Sequence, residues 1–381
     1  MTIYLDHNAT TPAAPKVVQA VRRALETGWG NPSSAHAPGR AAGALVSAAR
    51  EQVAALLDCE PGEIIFTSGG TESDNLALMG AARARRRAGR RIVVSAIEHP
   101  AVEAAASALQ SEQFQVVRVQ VKADGRVRAG DFIQALSPDT AVASLMHANN
   151  ETGALQPVPE VAAAARERGI PFHTDAAQSV GKMPVSVHEL GVDLLTLAGH
   201  KLYGPKGIGA LYVRPGTPLE GLLKGAPQER GLRPGTENTP GIAGLGAACA
   251  LAAAEMEERV NHARTLIARL LQALQDRLSH LQLNGPVDPS LRLPNTLNIH
   301  LPGLPAHRLA AEIRGVATSA GAACHSLQPE PSAVLMAMGM SRQRALASLR
   351  LSVGRSNSVA QMDEAASLIA EAASRLLERS I

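Results

Sequence analysis

The stretch that decides the fold is LLTLAGHKLYGPKGIGALYVR, residues 194 to 214. A near-continuous apolar run ends on His200 and Lys201, a turn rich in glycine and proline follows, and a second apolar run begins at Gly209. Runs of this kind belong to strands buried on both faces, as in parallel sheets covered by helices. A lysine placed just past such a strand has two readings. It is a solvated charge, or it is a partly desolvated amine of the kind that forms a Schiff base with a carbonyl cofactor.

The same pattern repeats outward from this point. IIFTS (64–68), IVVSAI (92–97), QVVRVQV (115–121), AVASLMHA (141–148) and PFHTDAA (171–177) precede LLTLAG (194–199), and GALYVR (209–214) closes the series. Ala-rich helical segments such as VPEVAAAARERG lie between several of them. Alternation of this kind predicts an α/β fold with a mostly parallel sheet. After Pro240 the pattern becomes one long helical region, Ile242 to about Leu281, followed by the strand-like NTLNIHL and LRLSVG and an amphipathic helix, VAQMDEAASLIAEAASRLLE. The expected organisation is a large domain over 14–257 and a small α+β domain made of 1–13 and 258–381.

Composition narrows the setting. The 381 residues are 45% hydrophobic with a formal net charge of +3, too small for this size to indicate a nucleic acid or membrane partner. The basic run from Arg83 to Arg91 reads as a solvated helix end. Cys59, Cys249 and Cys324 are far apart, odd in number and without a C-x-x-C pair, so no disulfide framework and no metal site is expected. A reducing, cytoplasmic compartment fits. MTIYLDHNATTP lacks the apolar segment of a signal peptide, and the uncharged stretch from Gly241 to Ala254 falls short of the ~18 residues a membrane span needs.

Ligands of open α/β sheets sit beyond the carboxyl ends of the strands, and four ends carry unusual chemistry. Ser68-Gly69-Gly70-Thr71 opens a helix after a strand, either as a phosphate cradle or as an ordinary turn with an N-cap. His99 follows the next strand, as a functional or a structural histidine. Asp175 ends an apolar strand, with Gln178 three residues on; a carboxylate there is costly to bury unless it meets a cation. Lys201 is the fourth. A phosphate cradle, an aspartate for a pyridinium nitrogen, a ring to stack on it and a Schiff-base lysine together specify pyridoxal phosphate.

With YLDHNATTP, GNPSSAH, IIFTSGGTESDN, EHPAV, ANNETGALQPV, HTDAAQSVGK, GHKLYGPKGIGALY, QERGLRPGTENTPG, SAGAACHS and LRLSVGR in this order, the whole chain resembles the cysteine desulfurase and selenocysteine lyase family, class V of the aminotransferase-like enzymes of fold type I. The resemblance implies a large domain with a mostly parallel seven-stranded sheet. It makes Lys201 the covalent anchor of the cofactor, His99 the ring that stacks on it and assists proton transfer, and Asp175 the partner of the pyridinium nitrogen. Gln178 and Asn150 would bind around the phenolic oxygen, with Asn150 also near the substrate. Gly70, Thr71, His200 and a Thr236 reaching over from a second subunit would hold the phosphate, which implies a homodimer. Arg350, helped by Asn31, would bind the substrate carboxylate as a bidentate fork.

The same resemblance makes Cys324 the sulfur acceptor, on a loop whose small residues Ala320, Gly321, Ala322 and Ala323 allow movement. The attacking species must be the thiolate; His325 is a candidate to favour it or merely a neighbour. Departures from the common pattern are Ala198 in place of a serine, Ala226 and Pro227 in place of glycines, and His7 in place of a tyrosine. The short segment after the last helix argues against docking to an iron–sulfur scaffold. L-Cysteine desulfuration is the first reading. Selenocysteine cleavage, towards which GAACHS, ANNETG and the non-serine residue at 198 lean, is the second. A transaminase or β-lyase would not need the loop thiol, and a sulfur carrier without catalysis is the remaining class. A protein that accepts the released sulfur or selenium would be the partner.

Overall fold

The computed structural model describes residues 2–319 and 330–378, so the expectations for Cys324 and His325 lie outside the described residues. The strands are, in chain order, β1 (Ile3–Tyr4), β2 (Ile64–Thr67), β3 (Arg91–Ser95), β4 (Gln115–Val119), β5 (Thr140–Ser144), β6 (Phe172–Asp175), β7 (Leu194–Ala198), β8 (Gly209–Val213), β9 (Gln282–Asn284), β10 (Thr296–His300), β11 (Val316–Ala317) and β12 (Ser348–Ser352).

All seven strands expected between 60 and 215 join one sheet in the order β2-β8-β7-β6-β5-β3-β4. The run from β7 to β4 is parallel, and β8 alone runs against its neighbours β2 and β7. Every residue of β2, β5, β6, β7 and β8 is buried, including the polar His173, Thr174 and Asp175 of β6, because helices cover both faces. The carboxyl ends of β2, β3, β5, β6 and β7 therefore open on one edge, where the site lies.

Some strands stop short of their apolar runs. β5 ends at Ser144, yet Leu145 and His147 still donate to the carbonyls of His173 and Asp175, at 3.1 and 2.9 Å, while the Met146 N–H between them goes to the Glu98 carboxylate at 2.9 Å.

The long helical region is not one helix. Thr239–Ala254 and Met256–Gln275 meet at Glu255 with a bend of 75°. The first of these is buried against helices Pro15–Thr27 and Ala37–Leu57, an approach that needs its glycines: a Cβ on Gly244 would lie 2.6 Å from Val21 and from Pro205. Helix Ala37–Leu57 ends with Asp58 in the left-handed conformation (φ 59°), so Cys59 lies just beyond it. No single helix among the described residues is long and apolar enough to cross a membrane.

The remaining strands form the antiparallel sheet β12-β10-β9 and the parallel pair β1-β11. The N-terminal strand thus joins the C-terminal third of the chain. Ile3 and Leu5 share an apolar cluster with Leu266, Leu270, Ile299, Leu351 and Ile369, separate from the clusters flanking the large sheet.

Candidate active site

The first element of the site follows β2. Gly69 has φ 154° and ψ −178°, a region that side chains all but exclude, and helix Gly70–Ala84 begins at the next residue. The first N–H groups of a helix have no partner within it, so its start is an anion site wherever ligand can reach. Here it opens on a cleft of about 430 Å³ lined by Thr10, Ser68, Gly70, Thr71, His200 and Lys206. Ala198 forms the floor under Gly70: a Cβ on Gly70 would stand 3.4 Å from that of Ala198. His200 Nδ1 is 3.1 Å from Thr10 Oγ1, and burial followed by the charge of Lys201 pushes its pKa down to about 4.

Asp175 closes β6, and its Oδ1 accepts from the Ala177 N–H at 2.9 Å. Asp74, His99 and Asp175 each bring a polar atom within 4.8 Å of the others. Burial, and next the charge of Asp175, raises the Asp74 pKa well above the carboxylate range, so Asp74 keeps its proton. Behind it, His173 lies between Ser144 Oγ (2.9 Å from Nδ1) and Thr196 Oγ1 (3.0 Å from Nε2), and burial holds it neutral with a pKa of about 3. Glu98 is pushed up to about 8 by burial, against the bonds it accepts from Ser95 and Met146. Asp175 thus rests on a buried layer of neutral groups.

His99 has a structural role at once: its Nδ1 accepts from the Ala101 N–H at 3.2 Å and caps helix Pro100–Ser111. That bond leaves the proton of the neutral ring on Nε2. Burial lowers the His99 pKa, against the charge of Asp175, which raises it.

Lys201 stands three residues past β7 in a short 3-10 turn. Its Nζ donates to the carbonyls of Asn8 and Ala9, at 2.7 and 2.8 Å. Burial, then the charge of Arg350, lowers its pKa from 10.5 to about 8. Gln178 Nε2 donates to the same Asn8 carbonyl at 3.0 Å.

Arg350, at the centre of β12, is buried yet not free. Its Nη2 donates to Asp6 at 2.7 Å and its Nη1 to the Asn150 carbonyl at 3.2 Å, while Nε has no hydrogen-bond partner among the described residues. Asp6 thus occupies one arm of the expected fork.

Lys201, Asp175, His99, Gln178, Asn150, His200, Gly70, Thr71 and Arg350 surround one site, linked by these bonds and charges. Asn31 and Thr236 are exposed, and among the described residues no hydrogen bond joins either to that group. Four residues that sequence reasoning did not single out contribute directly: Asp6, Asn8, Asp74 and Lys182. Each lies inside a motif already noted, but as a polar residue with no chemistry of its own until its partners are known.

The set fits pyridoxal phosphate. A glycine-bounded helix start suits a phosphate, a buried acid at a strand end suits a ring nitrogen, and an amine lowered to about 8 suits condensation with an aldehyde. The comparisons agree. Residues 3–364 match the model of the aminotransferase class-V family. The cysteine desulfurase IscS of Anaeromyxobacter dehalogenans is 42% identical over 99% of this chain and 94% of its own length. A solved NifS-like protein superposes with a TM-score of 0.91 at 34% identity, covering 98% of this chain and 100% of the other. A structure titled SspA in complex with cysteine superposes at 0.82 with 35% identity, over 93% and 99%. The chain belongs to the aminotransferase class-V family, in its pyridoxal phosphate-dependent cysteine desulfurase branch.

Proposed function

We propose that this chain converts L-cysteine to L-alanine and retains the sulfur as a persulfide on Cys324. Lys201 is the observation that carries the reading: a half-buried amine at the carboxyl edge of the sheet, lowered to about 8 by burial and by Arg350, in the electrostatic reach of Asp175. When bound, pyridoxal phosphate supplies an electron sink for charge developing at the substrate Cα. Lys201 would anchor the cofactor and, once released, carry the Cα proton, since an amine titrating near 8 is available in both forms around neutral pH.

Gly70, Thr71 and His200 would hold the phosphate, with the partner subunit's Thr236. Asp175 would hold the proton of the ring nitrogen, His99 would lie against the ring, and Gln178 and Asn150 would bind the phenolic oxygen. Arg350 would take the substrate carboxylate with its unpaired Nε and the arm now on Asp6, with Asn31 as its helper. Cys324 as thiolate would bond to the substrate Sγ while the Cβ–Sγ bond breaks, and Cβ gains a proton. The sum is L-cysteine plus enzyme thiol giving L-alanine plus enzyme persulfide, with no outside oxidant or reductant.

The curated relatives and the solved structure with cysteine support this substrate, and none of them favours the selenocysteine reading. We also read the chain as a cytoplasmic homodimer, as the exposure of Thr236 allows. The apolar cluster of Ile3, Leu5, Leu266 and Ile369, separate from those flanking the large sheet, supports a large domain over 14–257 and a small one from 1–13 and 258–381. The test is alanine release from L-cysteine and from L-selenocysteine by the wild type and Cys324→Ala. The variant is expected to lose the first and keep the second. Retention of cysteine turnover by Cys324→Ala, or borohydride fixing the cofactor on a residue other than Lys201, overturns the reading.

A further inference from the structure

Among the buried polar groups around the site, one lies outside every role assigned so far. Lys182, seven residues past Asp175, is buried, and among the described residues it forms no ion pair. Its charged neighbours are Lys201 and Arg350, both cations. A lysine in such a place costs stability unless its N–H groups are satisfied by well-placed acceptors. They are: Nζ donates to Asn8 Oδ1 and to Gln178 Oε1, both at 2.8 Å.

These two bonds decide which way round both amides stand. Gln178 Nε2 faces the Asn8 carbonyl, which only accepts, so its Oε1 must face the lysine. Asn8 Nδ2 donates to Thr296 Oγ1 at 2.8 Å and to the Asn150 carbonyl at 3.2 Å, so its Oδ1 is left for Lys182 and for Asn295 Nδ2 at 3.1 Å. Reversing either amide would set two acceptors or two donors against each other. The Asn8 carbonyl is also a partner of Lys201. One buried lysine therefore fixes the neighbours of the other.

We propose that Lys182 is a positioning residue, which locks Gln178 with its N–H₂ turned towards the cofactor's phenolic side and holds the Asn8 backbone that seats Lys201. This rests on the desulfurase reading and on Gln178 being a cofactor contact. Without Lys182, Gln178 Oε1 loses its one donor among the described residues, and only the Nε2 bond to the Asn8 carbonyl still orients the amide. Asn8 Oδ1 keeps Asn295 and moves less.

The test is a double-mutant cycle on the full-length protein, read as the pyridoxal 5′-phosphate dissociation constant and the visible absorbance of the bound cofactor. Lys182→Met and Gln178→Ala are each expected to weaken cofactor binding about tenfold and to shift that absorbance, and the double variant to be no worse than Gln178→Ala alone. Unfolding midpoints of the single variants identify any loss that is merely structural. If Lys182→Met does not fold, Lys182→Gln, whose amide still donates, replaces it at an expected threefold or so. Wild-type binding by the Lys182 variant, or losses that add in the double variant, overturns the assignment. A wild type that takes up no cofactor at all overturns instead the desulfurase reading beneath it.

Discussion

Replacing Lys201 by methionine should make the cofactor-free protein more stable at neutral pH, by an amount that depends on pH. The amine falls from 10.5 in the unfolded chain to about 8 in the folded one. At about 1.4 kcal/mol per tenfold change in proton affinity, holding the charged form costs the fold about 3.4 kcal/mol below pH 8. Between pH 8 and 10.5 the unfolded chain carries a proton that the folded chain has released, so the stability of the wild type rises with pH in that window. Integrated from pH 7 to pH 10, the rise is about 2.5 kcal/mol. Lys201→Met has no such group. Its advantage over the wild type should therefore shrink by about 2.5 kcal/mol over the same interval. The two hydrogen bonds lost with the amine reduce that advantage at both pH values by about 1 kcal/mol each and leave its pH dependence untouched. Urea unfolding of both cofactor-stripped proteins at pH 7 and pH 10 measures it. A stability difference unchanged within about 0.5 kcal/mol, or one that grows with pH, would refute the claim that Lys201 is held at a cost to the fold.

Two other perturbations follow from the geometry around the phosphate cradle. Arg50 holds the buried Glu229 carboxylate through both Nη atoms, at 2.9 and 2.5 Å, and Glu229 also accepts from the Phe66 N–H of β2 at 2.8 Å. Arg50→Met should cost about 3–5 kcal/mol in urea unfolding, since it strands a charge, and adding Glu229→Gln should recover more than half of that loss; additive losses would contradict it. Ala198→Ser restores a hydroxyl beneath Gly70 and should tighten pyridoxal phosphate binding roughly fivefold, the worth of one hydrogen bond. Equilibrium dialysis giving an unchanged or weaker constant would show that the floor position does not reach the phosphate.

The large sheet was legible because most of its strands lie in largely apolar runs, a pattern that leaves few alternatives to burial on both faces; β4, with Gln115 and Arg118, and β6, Phe-His-Thr-Asp, depart from it. Strand ends were less so. The apolar run after β5 continues to Ala148, and nothing in it shows that the Met146 N–H meets the Glu98 carboxylate, 48 residues away, in place of a strand partner. The single helix expected after Pro240 fails for a similar reason. Its bend at Glu255 is held by Arg259 from the next turn and Arg355 from the far end of the chain. Lys201, Asp175 and His99 stood out as reactive types placed just past strands. Asp6, Asn8 and Lys182 did not, because their roles come from partners 344, 288 and 174 residues away.

Those long separations have a mechanical meaning. The first strand belongs to the apolar cluster of the C-terminal third, yet the residues that follow it are bonded into the lysine turn of the large sheet. Thr11 N–H and Oγ1 both donate to the His200 carbonyl, Thr11 Oγ1 accepts from the Tyr203 N–H, and Ala14 N–H donates to the Tyr203 carbonyl. The same strap presents the two carbonyls that hold Lys201 and the carboxylate that holds Arg350. A displacement of the C-terminal unit would move Asp6, Asn8 and Arg350 together, since β1, β11 and β12 share its packing, whereas Asp175 and the cradle stay with the large sheet. Arg350 and Lys201 are thus tied through one short segment, residues 6 to 14. Cutting its bonds, for example by Thr11→Val, which releases the His200 carbonyl and the Tyr203 N–H from Oγ1, should loosen the seat of Lys201 without replacing any residue assigned to the cofactor.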